Sequence, residues 1–305
     1  MAQVISILQA VLPVFAALFL GMLCRKTGFV SREGIDTLKK VVVNITLPAV
    51  LFGAFATAEY SVSTIAVPVV TYILCLVILG VGFLLAKLFR INLQVAPFFA
   101  TGFEAGMLGY ALFALLFPRV SASKFAILDL GQTLFVFTAF KILISGKTDW
   151  KAIGKDMVTS PILWAVGIGV VFGATGLYGL LGQSGISGVI TGITDFVAAP
   201  TGMIILLTVG YDLVLREISW GKTIRLIALR LLAMAVFVAI WVVMNRSLMN
   251  NLLFEGAILL MAILPPPYVI PIFADNPESR SQVSSSLSAL TALCVLLFVV
   301  LRIFL

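Results

Sequence analysis

Residues 253–273 read LFEGAILLMAILPPPYVIPIF, an apolar run long enough to cross a bilayer but interrupted by Pro265, Pro266, Pro267 and Pro271. Each proline removes a backbone donor and costs a helix interior about 3 kcal/mol. The residue ahead of each is also pushed out of the helical region. No continuous helix survives this. At membrane depth, unwound backbone is tolerated only against protein or a water-filled cavity, so this stretch predicts a broken span beside a cavity.

The rest of the chain fixes the solvent. Of 305 residues, 61% are hydrophobic and 11% charged, with a mean hydropathy of +1.18. A soluble domain carries about a quarter charged residues, so most of this surface faces lipid. Ten stretches are long enough to span: 5–24, 35–56, 64–87, 94–117, 124–144, 160–181, 188–210, 223–245, 253–273 and 284–305, numbered here as spans 1 to 10. No basic residue precedes the first, and Arg25 and Lys26 follow it, so it reads as a membrane helix and not a cleaved leader.

The net charge of +7 is distributed as membrane topology, not as a nucleic-acid surface. When loops are assigned to alternate sides, sixteen of the twenty basic residues fall together, a set running from Arg25 and Lys26 through Lys222, Arg225 and Arg230 to Arg280. Only Arg119, Lys124, Arg246 and Arg302 lie opposite. The larger set marks the cytoplasmic side and places both termini outside a cell membrane.

Several chemistries are excluded. The chain has no histidine, which removes a histidine triad, an imidazole relay and a His-ligated metal. Cys24, Cys75 and Cys294 are scattered in apolar runs and read as small core residues. No phosphate-binding G-x-x-x-x-G-K-[ST] run occurs. The expectation is a non-enzyme without metal or cofactor.

The polar connection 146–159 separates two five-span halves, 1–145 and 160–305, that enter from opposite faces. The second span of each half carries a polar residue ahead of a mid-helix proline, Asn44 before Pro48 and Asp195 before Pro200, and Asn44, Pro48, Pro200 and Pro271 are the candidate helix breaks. The fourth span of each half is interrupted, by proline at Pro265–Pro267 and Pro271 in span 9, and by glycine in span 4. There, residues 101–109 read TGFEAGMLG, and Gly102, Gly106 and Gly109 form a small-residue strip. The predicted fold is an all-α integral membrane protein of ten spans in a five-plus-five inverted repeat, with spans 4 and 9 broken and crossing at the midplane.

Half-helix N-termini at such a crossing present partial positive charge and free N–H groups. Thr101, Gly102, Glu104, Gly106, Pro265, Pro266, Pro267 and Tyr268 are therefore the candidate substrate residues. Glu104 is too deep to reach either interface, and a charge there costs several kcal/mol unless paired or protonated. Asp129, with Gln132 one turn on, and Asp195 are shallower acids. No Lys or Arg reads as comparably deep, and an uncompensated acid gains a proton or binds a cation. Glu104, Asp129, Gln132 and Asp195 are accordingly the candidate coupling residues for H⁺, with Na⁺ as second choice.

At this point the chain resembles the auxin efflux carrier family, the group containing the plant PIN-FORMED carriers and many bacterial transporters. The resemblance rests on residues 44–48 (NITLP), 160–164 (SPILW), 199–210 (APTGMIILLTVG), 264–267 (LPPP) and 273–276 (FADN). It implies a secondary transporter, often a homodimer, with spans 1, 2, 6 and 7 as scaffold and spans 3–5 and 8–10 as a mobile unit. Solute would cross by an elevator-like slide of that unit, and family substrates are mostly small organic anions such as carboxylates. Span 4 departs from the family pattern, since it carries an acid and no proline at the crossing. The sodium-coupled bile acid symporters share the architecture but are a weaker match, because span 9 lacks an acid for a sodium site. The alternative reading is a membrane sensor that binds a small solute on this fold without moving it.

Overall fold

The computed structural model describes residues 2–91, 93–146, 150–213, 219–274 and 276–304, and among these all regular structure is helical. Among the described residues seven helices are long and apolar enough to cross a bilayer: Ile7–Thr27, Arg32–Ala56, Thr64–Leu88, Ser123–Ser145, Ile186–Asp212, Trp220–Ser247 and Pro277–Phe304. An eighth stretch, Pro161–Ala174 with Leu177–Gln183, bends by 66° between its two parts. Gly176 at φ +72° makes that corner, a conformation open to glycine at little cost.

The two remaining predicted spans are not continuous. Span 4 consists of a 3₁₀ turn Ala96–Phe99, an irregular stretch 100–104, a π-helical turn Ala105–Gly109 and the helix Tyr110–Leu116. Span 9 consists of the helix Glu255–Ile263, an irregular stretch 264–269 and a 3₁₀ turn Ile270–Phe273 containing Pro271.

Not every proline breaks its helix. Pro48 was expected to do so with Asn44, yet the helix runs on through both. A π-helical turn Val42–Thr46 absorbs the lost donor, with the Leu47 N–H reaching back to Val42 O, and the Asn44 amide bonds to Lys40 O at 2.8 Å. At Pro200 the chain makes a two-residue turn between Ile186–Ala198 and Thr201–Asp212 without a sharp bend. The expected polar connection is itself helical over Trp150–Thr159, and Ser160 caps the next helix through the Leu163 N–H.

The chain divides into two compact units. The first comprises Met1–Ala66, Gly106–Ile127 and Lys151–Asp212. Within it Ala2–Thr27 packs along Thr201–Asp212, and Leu47–Ala56 packs along Pro161–Ala174. Both contacts are backbone on backbone. A Cβ added to Gly21 would lie 2.0 Å from Leu207 O, and one on Gly210 would lie 2.1 Å from Leu18 O. A Cβ on Gly173 would lie 2.6 Å from Phe55 O. Small residues serve here because lipid offers no hydrophobic drive for helix association, leaving close packing to supply it. One end of this unit is tied by Asp212, which accepts from Arg32 at 2.6 Å and from Lys39 at 2.5 Å, while Arg25 donates to Tyr211 O at 2.8 Å.

The second unit comprises Val67–Ala105, Leu128–Trp150 and Leu213–Leu305. Gly131 lets two of its helices meet, since a Cβ there would lie 2.2 Å from Pro68 O. The Trp220–Ser247 helix packs against both Glu255–Ile263 and Pro277–Phe304. Its turn into span 9 is stapled by the Asn245 amide, which donates to Leu253 O and accepts from Leu253 N.

Replacing Gly210 by Val forces a side chain into the Leu18 carbonyl and is expected to cost about 1–3 kcal/mol through overpacking. Gly53→Val, where nothing lies within 4 Å, is the matched control. Thermal unfolding of the purified variants checks this: the Gly210 variant melts well below wild type and the Gly53 variant close to it.

Candidate functional site

The irregular stretches of spans 4 and 9 meet inside the second unit, and local sequence explains why each can. Leu264 adopts an extended conformation (φ −62°, ψ 146°) as the C-cap of Glu255–Ile263, as a residue preceding proline should. Gly102 lies at φ +71°. A Cβ on Gly102 would sit 2.8 Å from Pro267 Cγ, so the absent side chain is what admits the proline ring. Across the contact, the Glu104 N–H donates to Pro265 O at 2.9 Å. The Tyr268 N–H donates back to Glu104 Oε2 at 2.7 Å. A backbone and a side-chain hydrogen bond thus help to stitch the two breaks.

The sequence reading expected bare amides at this point, and the structure differs. The Phe103 N–H donates to Gln132 Oε1 at 3.2 Å, and Gln132 Nε2 in turn donates to Asp129 Oδ1 at 2.8 Å, where Thr133 Oγ1 also donates at 3.2 Å. Asp129 and Gln132 are 5% and 4% exposed, so a polar relay from span 5 reaches the broken segment of span 4. The Thr101 hydroxyl donates to Cys75 O at 2.9 Å. Three amides of the crossing, on Phe103, Glu104 and Tyr268, are thus already satisfied.

The second difference is Arg230. It was assigned to the cytoplasmic charge set, and no basic residue was expected at depth, yet it is 2% exposed. Its Nη1 donates to Phe99 O at 3.2 Å and to Gly102 O at 2.9 Å, and its Nη2 to Leu264 O at 2.9 Å. The guanidinium also lies over the Phe103 ring, 5.0 Å from its centroid, close enough for cation–π attraction. Two of the accepting carbonyls close the first half of each broken span: Phe99 ends its 3₁₀ turn and Leu264 caps its helix. Helix C-termini carry partial negative charge and orphan carbonyls, and a forked guanidinium matches both. The sequence offered a signal for this. Arg230 lies seven residues into the predicted span, roughly 10 Å at 1.5 Å per residue.

The remaining candidates are placed as follows. Pro265, Pro266 and Pro267 are buried, while Glu104 and Tyr268 are half-buried, with the Tyr268 hydroxyl 3.0 Å from Thr291 Oγ1. Gly106 falls in the first unit, where a Cβ would approach Leu47 Cδ2 at 3.2 Å. Asp195 also lies in the first unit, exposed on a helix none of whose residues is buried. The first unit has its own open, mostly apolar cavity of about 500 Å³, whose lining includes Pro13, Ala17, Val50, Tyr110, Phe113 and Thr201.

Residues 6–144 match a family described as membrane transport protein. A protein of Methanothermobacter thermautotrophicus named an uncharacterized transporter is 29% identical over 206 residues, covering 64% of this chain and 65% of that relative's length. The resemblance read from the sequence is therefore found again over the first part of the chain, and the chain is an all-helical, multi-pass membrane protein among its described residues.

Removing the guanidinium as Arg230→Met leaves three buried carbonyls without their donor, at about 1–3 kcal/mol apiece. Arg230→Lys keeps the charge but not the fork, so it should recover only part of that loss. Gly102→Ala adds left-handed strain of about 1–2 kcal/mol to its clash with Pro267. Thermal melts of the purified variants should rank wild type above Arg230→Lys, and Arg230→Lys above Arg230→Met.

Proposed function

We propose that this chain is a secondary transporter of a small organic solute, with the crossing of spans 4 and 9 as the solute site. The observation that carries the reading is the meeting of two interrupted spans, through Glu104 N and Pro265 O, around an acid and a fully buried arginine. Irregular backbone and ionisable groups at membrane depth mark solute and ion pathways.

The ten spans form an inverted repeat, 1–145 and 160–305, in which spans 1 to 5 exchange with spans 6 to 10. Helix packing supports this: span 1 lies on span 7 and span 2 on span 6, pairs that the exchange turns into one another. The solute crosses by an elevator-like slide of spans 3–5 and 8–10 against a scaffold of spans 1, 2, 6 and 7. The contacts between the two breaks fall within the second compact unit, which suits a site that travels as a body, while the helix Tyr110–Leu116 that completes span 4 belongs to the first. Coupling is to H⁺ through Glu104. A carboxylate solute, the class the resemblance implies, would need Glu104 protonated when it binds.

In proteoliposomes the purified protein should catalyse counterflow without ATP, and an imposed pH gradient should drive net uptake. Glu104→Gln should retain exchange at reduced rate and lose the gradient response; an unchanged response removes Glu104 from coupling.

A homodimer belongs to the same proposal. The helix Ile186–Ala198 buries nothing within the chain and exposes Val189, Ile193 and Phe196, the last at 83%, beside Asp195. An acid facing lipid is costly, and a second copy would cover it. Mass photometry in nanodiscs should read twice the 32.7 kDa chain mass; a single-chain mass contradicts the dimer.

A further inference from the structure

Independently of the crossing, we infer that the cavity of the first unit is a lipid site that takes one acyl chain of an anionic phospholipid. The cavity holds about 500 Å³ and its lining is mostly apolar, a size and character usual for sites that take organic molecules. Four of the lining residues, Pro13, Ala114, Ala199 and Met203, are exposed. The cavity therefore opens on the apolar outer surface of a multi-pass membrane protein. Water entering it would find few hydrogen-bond partners, and apolar cavities stay dry for that reason. A hydrocarbon chain fills it without that cost, and hydrocarbon is the solvent at its mouth.

Its depth suits one leaflet. The lining runs from Pro118, in the turn that follows the helix Tyr110–Leu116, back to Tyr110 at the start of that helix. At 1.5 Å per residue this stretch covers roughly 12 Å, against about 15 Å for half of a hydrocarbon core.

The charge at the mouth selects the lipid. Arg119 lies between the lining residues Pro118 and Val120, and Lys124 follows shortly after the lining residue Ala122. Arg119 is exposed and Lys124 half-buried, and neither side chain has an ion-pair or hydrogen-bond partner among the described residues. Both belong to the small set of basic residues that the loop count separates from the rest, in which Arg246 is already held by Glu255 at 2.8 Å. No acid occurs in residues 110–124 or 198–206, which carry most of the lining, and Asp195 lies about one turn before Ala198. Two cations at the edge of a bilayer attract an anionic headgroup, and the guanidinium fork of Arg119 matches phosphate oxygens. A chain in the cavity and a phosphate at Arg119 and Lys124 are then the two ends of one molecule.

The full-length protein, purified and stripped of lipid in detergent, tests this with phosphatidylglycerol and phosphatidylcholine of identical acyl chains, each carrying a diazirine in the chain. Irradiation and peptide mass spectrometry should place the phosphatidylglycerol label on residues 110–122 and 198–206. Native mass spectrometry should show phosphatidylglycerol held about tenfold more tightly than phosphatidylcholine. Arg119→Gln combined with Lys124→Gln should erase that preference yet melt like wild type in phosphatidylcholine, since no ion pair is lost. Ala114→Phe, which puts a ring into the cavity, should remove the label from both segments for either lipid. Label spread evenly over other apolar helices such as Thr64–Leu88, equal retention of the two lipids, or a preference that survives the double substitution would overturn the inference. Displacement of phosphatidylglycerol by an equal amount of oleate would also overturn it, making the occupant a free fatty acid. The wild-type labelling and ranking decide the matter should a variant fail to fold.

Discussion

A single guanidinium closing three carbonyls is the contact on which the crossing depends. Arg230 is 2% exposed, and a buried charge by itself costs several kcal/mol. That cost is offset because Phe99 O, Gly102 O and Leu264 O would otherwise be orphaned in the same place, and because the Phe103 ring lies beneath the positive head. Each side therefore removes the other's penalty. Neither interruption is affordable alone.

From this follows the division of labour at the crossing. The negative ends of the broken segments are gathered onto Arg230, and the donors beyond them go to Glu104, Gln132 and Pro265 O. What results is a knot of hydrogen bonds with the half-buried Glu104 carboxylate on it. These hydrogen bonds are all made within the chain.

Parts of this were legible in the residues and parts were not. Three adjacent prolines admit no helix, so the break in span 9 was readable without any neighbour. Gly102 was readable as a small residue, but its positive φ and the proline ring it admits depend on span 9. The spacing of Asp129 and Gln132 put both on one helix face, yet only the fold shows that the amide passes the contact on to the Phe103 N–H. Pro48 misled because a π-helical turn can absorb a missing donor, and that choice is made by packing. Asp195 was readable as an acid within a span, but its exposure on the helix Ile186–Ala198 was not, because sequence gives depth and not direction. Arg230 was hidden by a counting rule: loop charges set topology, and a basic residue several turns inside a span was credited to the loop instead of being asked what could neutralise it.

Amide hydrogen exchange at Phe103, Glu104 and Tyr268, measured by mass spectrometry in nanodiscs for wild type and Arg230→Met, tests the account at its centre. Slow exchange in wild type that accelerates together at all three amides in the variant is the expected result. Exchange in wild type as fast as in the loops, or protection indifferent to loss of the guanidinium, would contradict it.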